Sequence, residues 1–188
     1  MSTTFKRTAA RGFTLIELLI VVIIVAILAA IVIPQFSAST NDAQVAALDA
    51  NLAAVRNAVE QYRGQHGGNV YPGAADATGA TCAVGSAAAA AATAGTKEAL
   101  IAQLTGYSND KGQTCSAPNV ATGYKYGPYL RVMPTEAIGA TTDVTLVTKT
   151  GAPLTADNKN GWAYDTVSGQ FIMNSTANDP NGKLYSAH

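Results

Sequence analysis

From Leu18 to Ile33 every residue is apolar. Extended to Phe13 and Phe36 this run covers 24 residues, roughly 36 Å as a helix. The hydrocarbon core of a bilayer is about 30 Å thick, so the segment can span it with some tilt. Lys6, Arg7 and Arg11 precede it, and no basic residue follows until Arg56. The positive-inside rule then places the N-terminus in the cytoplasm and the remainder outside. A cleaved secretory signal needs a shorter apolar core followed by small residues in an A-x-A pattern. Here the run ends in "AAIVIPQF", and the small residue, Gly12, stands before it instead.

One carboxylate, Glu17, sits near the start of this apolar stretch. An acid deep in lipid is costly. Either Glu17 stays wet at the interface, or it has a positive partner in the membrane or in an assembly. A cut after Gly12 would give Phe13 a new amine four residues before Glu17. On a helix those two groups can meet, within one chain or between neighbours. Further on, Pro34 cannot donate to the Ala30 carbonyl, which predicts a kink or a helix end at the membrane surface.

The segment "RGFTLIELLIVVIIVAILAAIVIPQF", residues 11–36, resembles the N-terminus of type IV prepilins and type II secretion pseudopilins. The resemblance is close over the first 36 residues and loose over the helix that follows. It implies that a prepilin peptidase cuts after Gly12 and that Phe13 becomes N-methylated. It implies that Glu17 helps place an incoming subunit by attracting the Phe13 amine of a neighbour, and that Pro34 marks where the helix can loosen inside a filament. The implied function is a structural subunit of a type IV pilus-like filament or of a secretion pseudopilus. It would be inserted in the bacterial inner membrane with its head in the periplasm, then polymerised in the periplasm or on the cell surface. The implied partners are further copies of the chain, the peptidase, an inner-membrane assembly platform, and minor pilins or pseudopilins. A monomeric membrane-anchored extracytoplasmic binding domain is the alternative, and a soluble secreted domain comes third.

After "SASTND" a second pattern begins. Val45, Leu48, Leu52, Val55, Val59 and Tyr62 recur at spacings of three and four, which predicts an amphipathic helix packed on its own head. Arg56 and Glu60 fall off the stripe at a spacing that allows pairing. The glycines of "GQHGG" should stop the helix between Gly64 and Gly68. Residues 69–95, including the low-complexity "SAAAAAATAG", read as a loop in preference to a short helix. "TKEALIAQLTGY" predicts a short helix capped by Thr96, with Leu100, Ile101 and Leu104 facing inward and Gly106 ending it. "DVTLVTKT" reads as a strand, and "GWAYD" and "QFIMN" as a hairpin around "TVSG". "YGPYLRVMP" reads as an extended edge leading to that sheet, since Pro128 and Pro134 suit no central strand. The expected fold class is α+β: a long N-terminal helix on a small antiparallel sheet. The expected division is a basic leader (1–12), a membrane or filament-core helix (13–36), an amphipathic helix (37–64) and a globular head (65–188). "GPYL" and "GWAYD" with its turn also resemble the heads of major pseudopilins.

Basic and acidic residues balance at 12 each, so no charge excess argues for nucleic acid. Cys82 and Cys115 are an even pair on the expected extracytoplasmic side, which predicts a disulfide. The pair brackets the middle of the chain, unlike the C-terminal bracket of many major pilins. His66 and His188 stand at no zinc-like spacing from the cysteines. No phosphate-binding loop, nucleophile elbow or zinc-helix motif occurs, and no enzyme is expected. The resemblance to major pseudopilins raises calcium, which those proteins can hold in a C-terminal loop. Asn178, Asp179 and Asn181 offer hard oxygen ligands, although "NDPNG" is also an ordinary turn composition. No other cofactor is expected.

Overall fold

In a computed structural model the described residues are 13–89, 92–136, 138, 143–147, 153–158 and 161–188. The leader with Gly12, residues 90–91 of the alanine run and residues 148–150 of "DVTLVTKT" lie outside them. The chain divides into two compact units, Met1–Asn41 and Asp42–His188.

Helix α1 (Leu15–Gln65, 51 residues) contributes to both units. It is long and apolar enough to cross a membrane. It runs through Pro34 without ending. The proline has no N–H to give to the helix ladder, so at most one bond is lost there directly. Its C-terminus has a clear stop. The Gly68 N–H bonds the Arg63 carbonyl at 2.8 Å, and Gly67 holds φ at +82°. That is a Schellman-type end, in which only a residue tolerant of the left-handed region closes the turn.

In the second unit the predicted stripe is buried. Leu48, Leu52, Val55, Val59 and Tyr62 are at most 1% exposed, and Val45 packs against the same cluster. Arg56 does not pair with Glu60 as its spacing suggested. It turns inward to the Phe171 and His188 carbonyls, while Glu60 meets Arg63 at 3.3 Å. Burying polar backbone groups requires partners, and a guanidinium can serve two carbonyls at once.

Helix α2 (Lys97–Thr105) begins at Thr96, whose side chain accepts the Ala99 N–H, and Gly106 closes it. Leu100 and Leu104 join the main core and Ile101 packs against it. Strands β1 (Tyr107–Ser108) and β2 (Thr114–Cys115) form a two-stranded antiparallel sheet that the sequence pattern did not announce. Strands β3 (Val144–Val147), β4 (Trp162–Asp165) and β5 (Phe171–Met173) form the second sheet in the order β3-β4-β5. The β4–β5 hairpin is antiparallel as expected, with Trp162 opposite Met173. β3, however, runs parallel to β4, with Val144 opposite Trp162, so the sheet is mixed rather than antiparallel. All four residues of the central strand β4 are buried; a strand covered on both faces loses the usual alternation. At the hairpin turn Gly169 has φ +71°, and a Cβ there would collide with the ring of Tyr71.

"YGPYLRVMP" forms no strand of that sheet. Tyr126 bridges to Ser108 of β1 instead. The Tyr129 and Leu130 N–H groups both donate to the Leu104 carbonyl at 2.9 Å, satisfying an orphan acceptor at the end of α2. The segment still reaches the core, where the Trp162 indole N–H donates to the Pro134 carbonyl at 2.9 Å. Among the described residues of 69–95 there is no helix. Small side chains let this loop lie close: Ala77, Ala92 and Ala99 form a separate buried cluster.

Candidate functional site

In the first unit every large apolar side chain from Phe13 to Phe36 is at least 41% exposed, and Phe13 and Leu15 exceed 80%. So many apolar groups in water would be strongly unfavourable. The surface is therefore built for lipid or for another protein. Glu17 lies in the first turn of α1. Its Oε2 accepts the Thr14 backbone N–H at 2.8 Å and the Thr14 hydroxyl at 2.7 Å. The Glu17 N–H in turn reaches Thr14 Oγ1 at 3.3 Å. This reciprocal arrangement is a capping box, which satisfies amides that the helix start leaves without partners. The spacing Thr14-x-x-Glu17 is its sequence signature, and the reading of Glu17 as either wet or externally paired missed it. The acid thus has a local occupation as well as a free approach for a cation from outside. Phe13 is adjacent to the cap and exposed, and Pro34 lies inside α1.

In the head, Cys82 and Cys115 form a disulfide with Cα atoms 5.7 Å apart. It ties the segment around Cys82 to β2, where Ala88 also bridges to Cys115. Gln103 is a position that pattern reading passed over. It is fully buried and joins two loops with three bonds: its Oε1 accepts the Gly73 N–H at 2.7 Å, and its Nε2 donates to the Ala75 and Gly112 carbonyls at 2.9 Å. A polar residue one position from Leu104 on an inward helix face was the available signal.

His66 stacks on Tyr62 with centroids 3.8 Å apart. Its Nδ1 lies 2.8 Å from the Tyr62 carbonyl and its Nε2 lies 3.0 Å from the Asn109 carbonyl. It therefore fastens the helix end to the 109–113 turn. Burial pushes the Tyr62 and Tyr164 hydroxyls far above the usual range, which keeps them neutral. Of the calcium candidates, Asp179 is 7% exposed while Asn178 and Asn181 are exposed. Asp179 Oδ1 accepts the Asn181 and Lys183 N–H groups at 2.9 and 2.8 Å, so one of its oxygens already organises the turn. Among the described residues no group of three or more His, Cys, Asp or Glu side chains converges as a metal site.

The prokaryotic N-terminal methylation motif matches residues 7–33. The chain is 55% identical over 49 residues to the major component of the type IV narrow pilus of Thermus thermophilus, covering 26% of this chain and 42% of that one. It is 38% identical over 58 residues to the type II secretion system core protein G of Pseudomonas aeruginosa, covering 31% and 41%. It is 50% identical over 52 residues to a fimbrial protein of Pseudomonas aeruginosa, covering 28% and 34%. The chain thus spans less than half the length of each of these relatives. No solved structure matches it. In its N-terminal methylation motif and in these partial likenesses the chain is similar to type IV pilins and type II secretion pseudopilins.

Proposed function

We propose that this protein is a filament subunit. It is held in the inner membrane by residues 13–36, cut after Gly12, N-methylated at Phe13 and then polymerised through the same helix. The observation that carries the reading is the uniform exposure of Phe13–Phe36 in a segment bearing the methylation motif. Burial of that surface between subunits replaces burial in lipid, so the exchange does not expose the apolar area to water. Glu17 supplies direction. After cleavage Phe13 carries an amine, and a buried cation and a buried carboxylate each cost less when paired. A neighbour's amine is then the cation that Glu17 receives, and Pro34 is where the helix yields as it packs. The partners on this reading are other copies of the chain, a prepilin peptidase, an assembly platform and minor subunits. The reading requires no catalytic group and no cofactor.

Glu17→Ala tests it. The variant should insert, because the span becomes more apolar, and should be cut after Gly12. It should build no filaments, or build them only when mixed with wild type. Membrane fractionation, N-terminal mass and electron microscopy of sheared filaments read the three steps in one culture. Normal filament number at matched expression would leave Glu17 with its capping role alone. An uncut N-terminus in the wild type would favour a monomeric anchored domain.

A further inference from the structure

Helix α1 carries Asp49 and Arg56 seven residues apart, about two turns, and both reach the last segment of the chain. Arg56 donates to the Phe171 carbonyl from Nε at 3.1 Å and from Nη2 at 2.9 Å. It also donates to the His188 carbonyl from Nη1 and Nη2 at 3.1 Å. The His188 side chain is only 6% exposed. Its Nδ1 lies 2.9 Å from Asp49 Oδ1, and its Nε2 lies 3.5 Å from Asp179 Oδ2, on a side chain 3% exposed. At that distance the buried Nε2 makes no hydrogen bond. The Tyr185 ring lies 6.3 Å from the imidazole. Asp49 and Arg56 from α1, with Asp179 and Tyr185 from the C-terminal turn, are the titratable groups facing it.

A neutral imidazole has one N–H. It can serve one of these carboxylates, and its other nitrogen then turns a lone pair on an anion. With a proton on both nitrogens, the Asp49 contact is a charge-assisted hydrogen bond and the 3.5 Å Asp179 contact an attractive ion pair. Two backbone bonds close the turn, and their donor residues Asp179 and Tyr185 are buried at 7% and 8% exposure while it lies on α1. The Asp179 N–H bonds the Lys183 carbonyl at 2.7 Å, and the Tyr185 N–H bonds the Ala177 carbonyl at 3.0 Å.

We propose that residues 177–188 form a proton-fastened strap, clamped to α1 when the His188 imidazole bridges Asp49 and Asp179, whose turn opens to water more readily when the bridge loses a proton. The test is amide hydrogen exchange by NMR on the whole chain in detergent, at about pH 5 and about pH 8, the range in which histidines change charge. After correction for intrinsic rates, the Asp179 and Tyr185 amides should be about tenfold better protected at the lower pH, the scale of one charge-assisted hydrogen bond. His188→Gln should abolish that pH dependence while the β4–β5 amides keep theirs. Asp49→Asn, at a more exposed helix position, should reduce it without unfolding the head. Equal protection at both pH values in the wild type, or an unchanged dependence in His188→Gln, would overturn the proposal.

Discussion

The two parts of helix α1 share one backbone conformation and meet opposite environments. Between Phe13 and Phe36 no large apolar side chain is less than 41% exposed; between Leu48 and Tyr62 the apolar stripe is at most 1% exposed. The difference lies in the sequence period. The first part is apolar all round, and a helix of that kind has no face to offer water, so its partner must be lipid or other helices. The second part keeps a narrow stripe for its own sheet and a polar remainder for solvent. Local structure is therefore uninformative about function here, and the distribution of polarity around the helix carries it.

The sharpest way to break the comparison is to make matched deletions in the two parts. Leu52→Ala removes a fully buried side chain and should cost the head about 4 kcal/mol of stability in urea unfolding. Ile24→Ala removes a half-exposed one and should shift the same transition by less than about 0.5 kcal/mol; on the filament-subunit proposal its effect falls on assembly instead. A large loss of head stability from Ile24→Ala would mean that the first part packs on its own chain.

The disulfide sharpens the contrast next, because it lies wholly in the second unit. The cysteines are 33 positions apart, and replacing both with serine should cost roughly 3–4 kcal/mol in the chain-entropy account. Urea unfolding of the head measures this, and membrane insertion of the first part should be unaltered. An unaffected midpoint would show that the alanine-packed loop needs no cross-link.

The smallest effect is expected at alkaline pH. Burial pushes the Tyr129 hydroxyl up to about 12, the nearby Tyr126 adding to the shift and a Ser108 hydrogen bond opposing it. Below its ordinary value of 10.0 the group is neutral in folded and unfolded chains, and its contribution is fully present. Above that the unfolded chain ionises first, so stability should fall as pH rises toward about 12. Tyr129→Phe should flatten part of this decline in unfolding measurements across the same range. The exchange of the first-part amides should show no matching step.

Much of this was legible in residue order because it depends on local chemistry. The apolar run, the Val45–Tyr62 stripe, the Thr96 cap, the glycine stop and the cysteine pair are each set by side-chain type and spacing along one element. The Thr14–Glu17 box is legible on the same terms, because the T-x-x-E spacing at a helix start is its signature. What only the tertiary structure decided involves groups far apart in the chain. The direction of β3 is one case, since a β-branched run marks a strand without marking its polarity. The amides of Tyr129 and Leu130 were taken by the end of α2, which the pattern of "YGPYLRVMP" could not show. Arg56 had a nearby acid at the right spacing, yet two carbonyls 115 and 132 positions away held it. Burial makes an unmet backbone acceptor costlier than a lost surface ion pair, and which acceptors are buried is known only once the chain has folded.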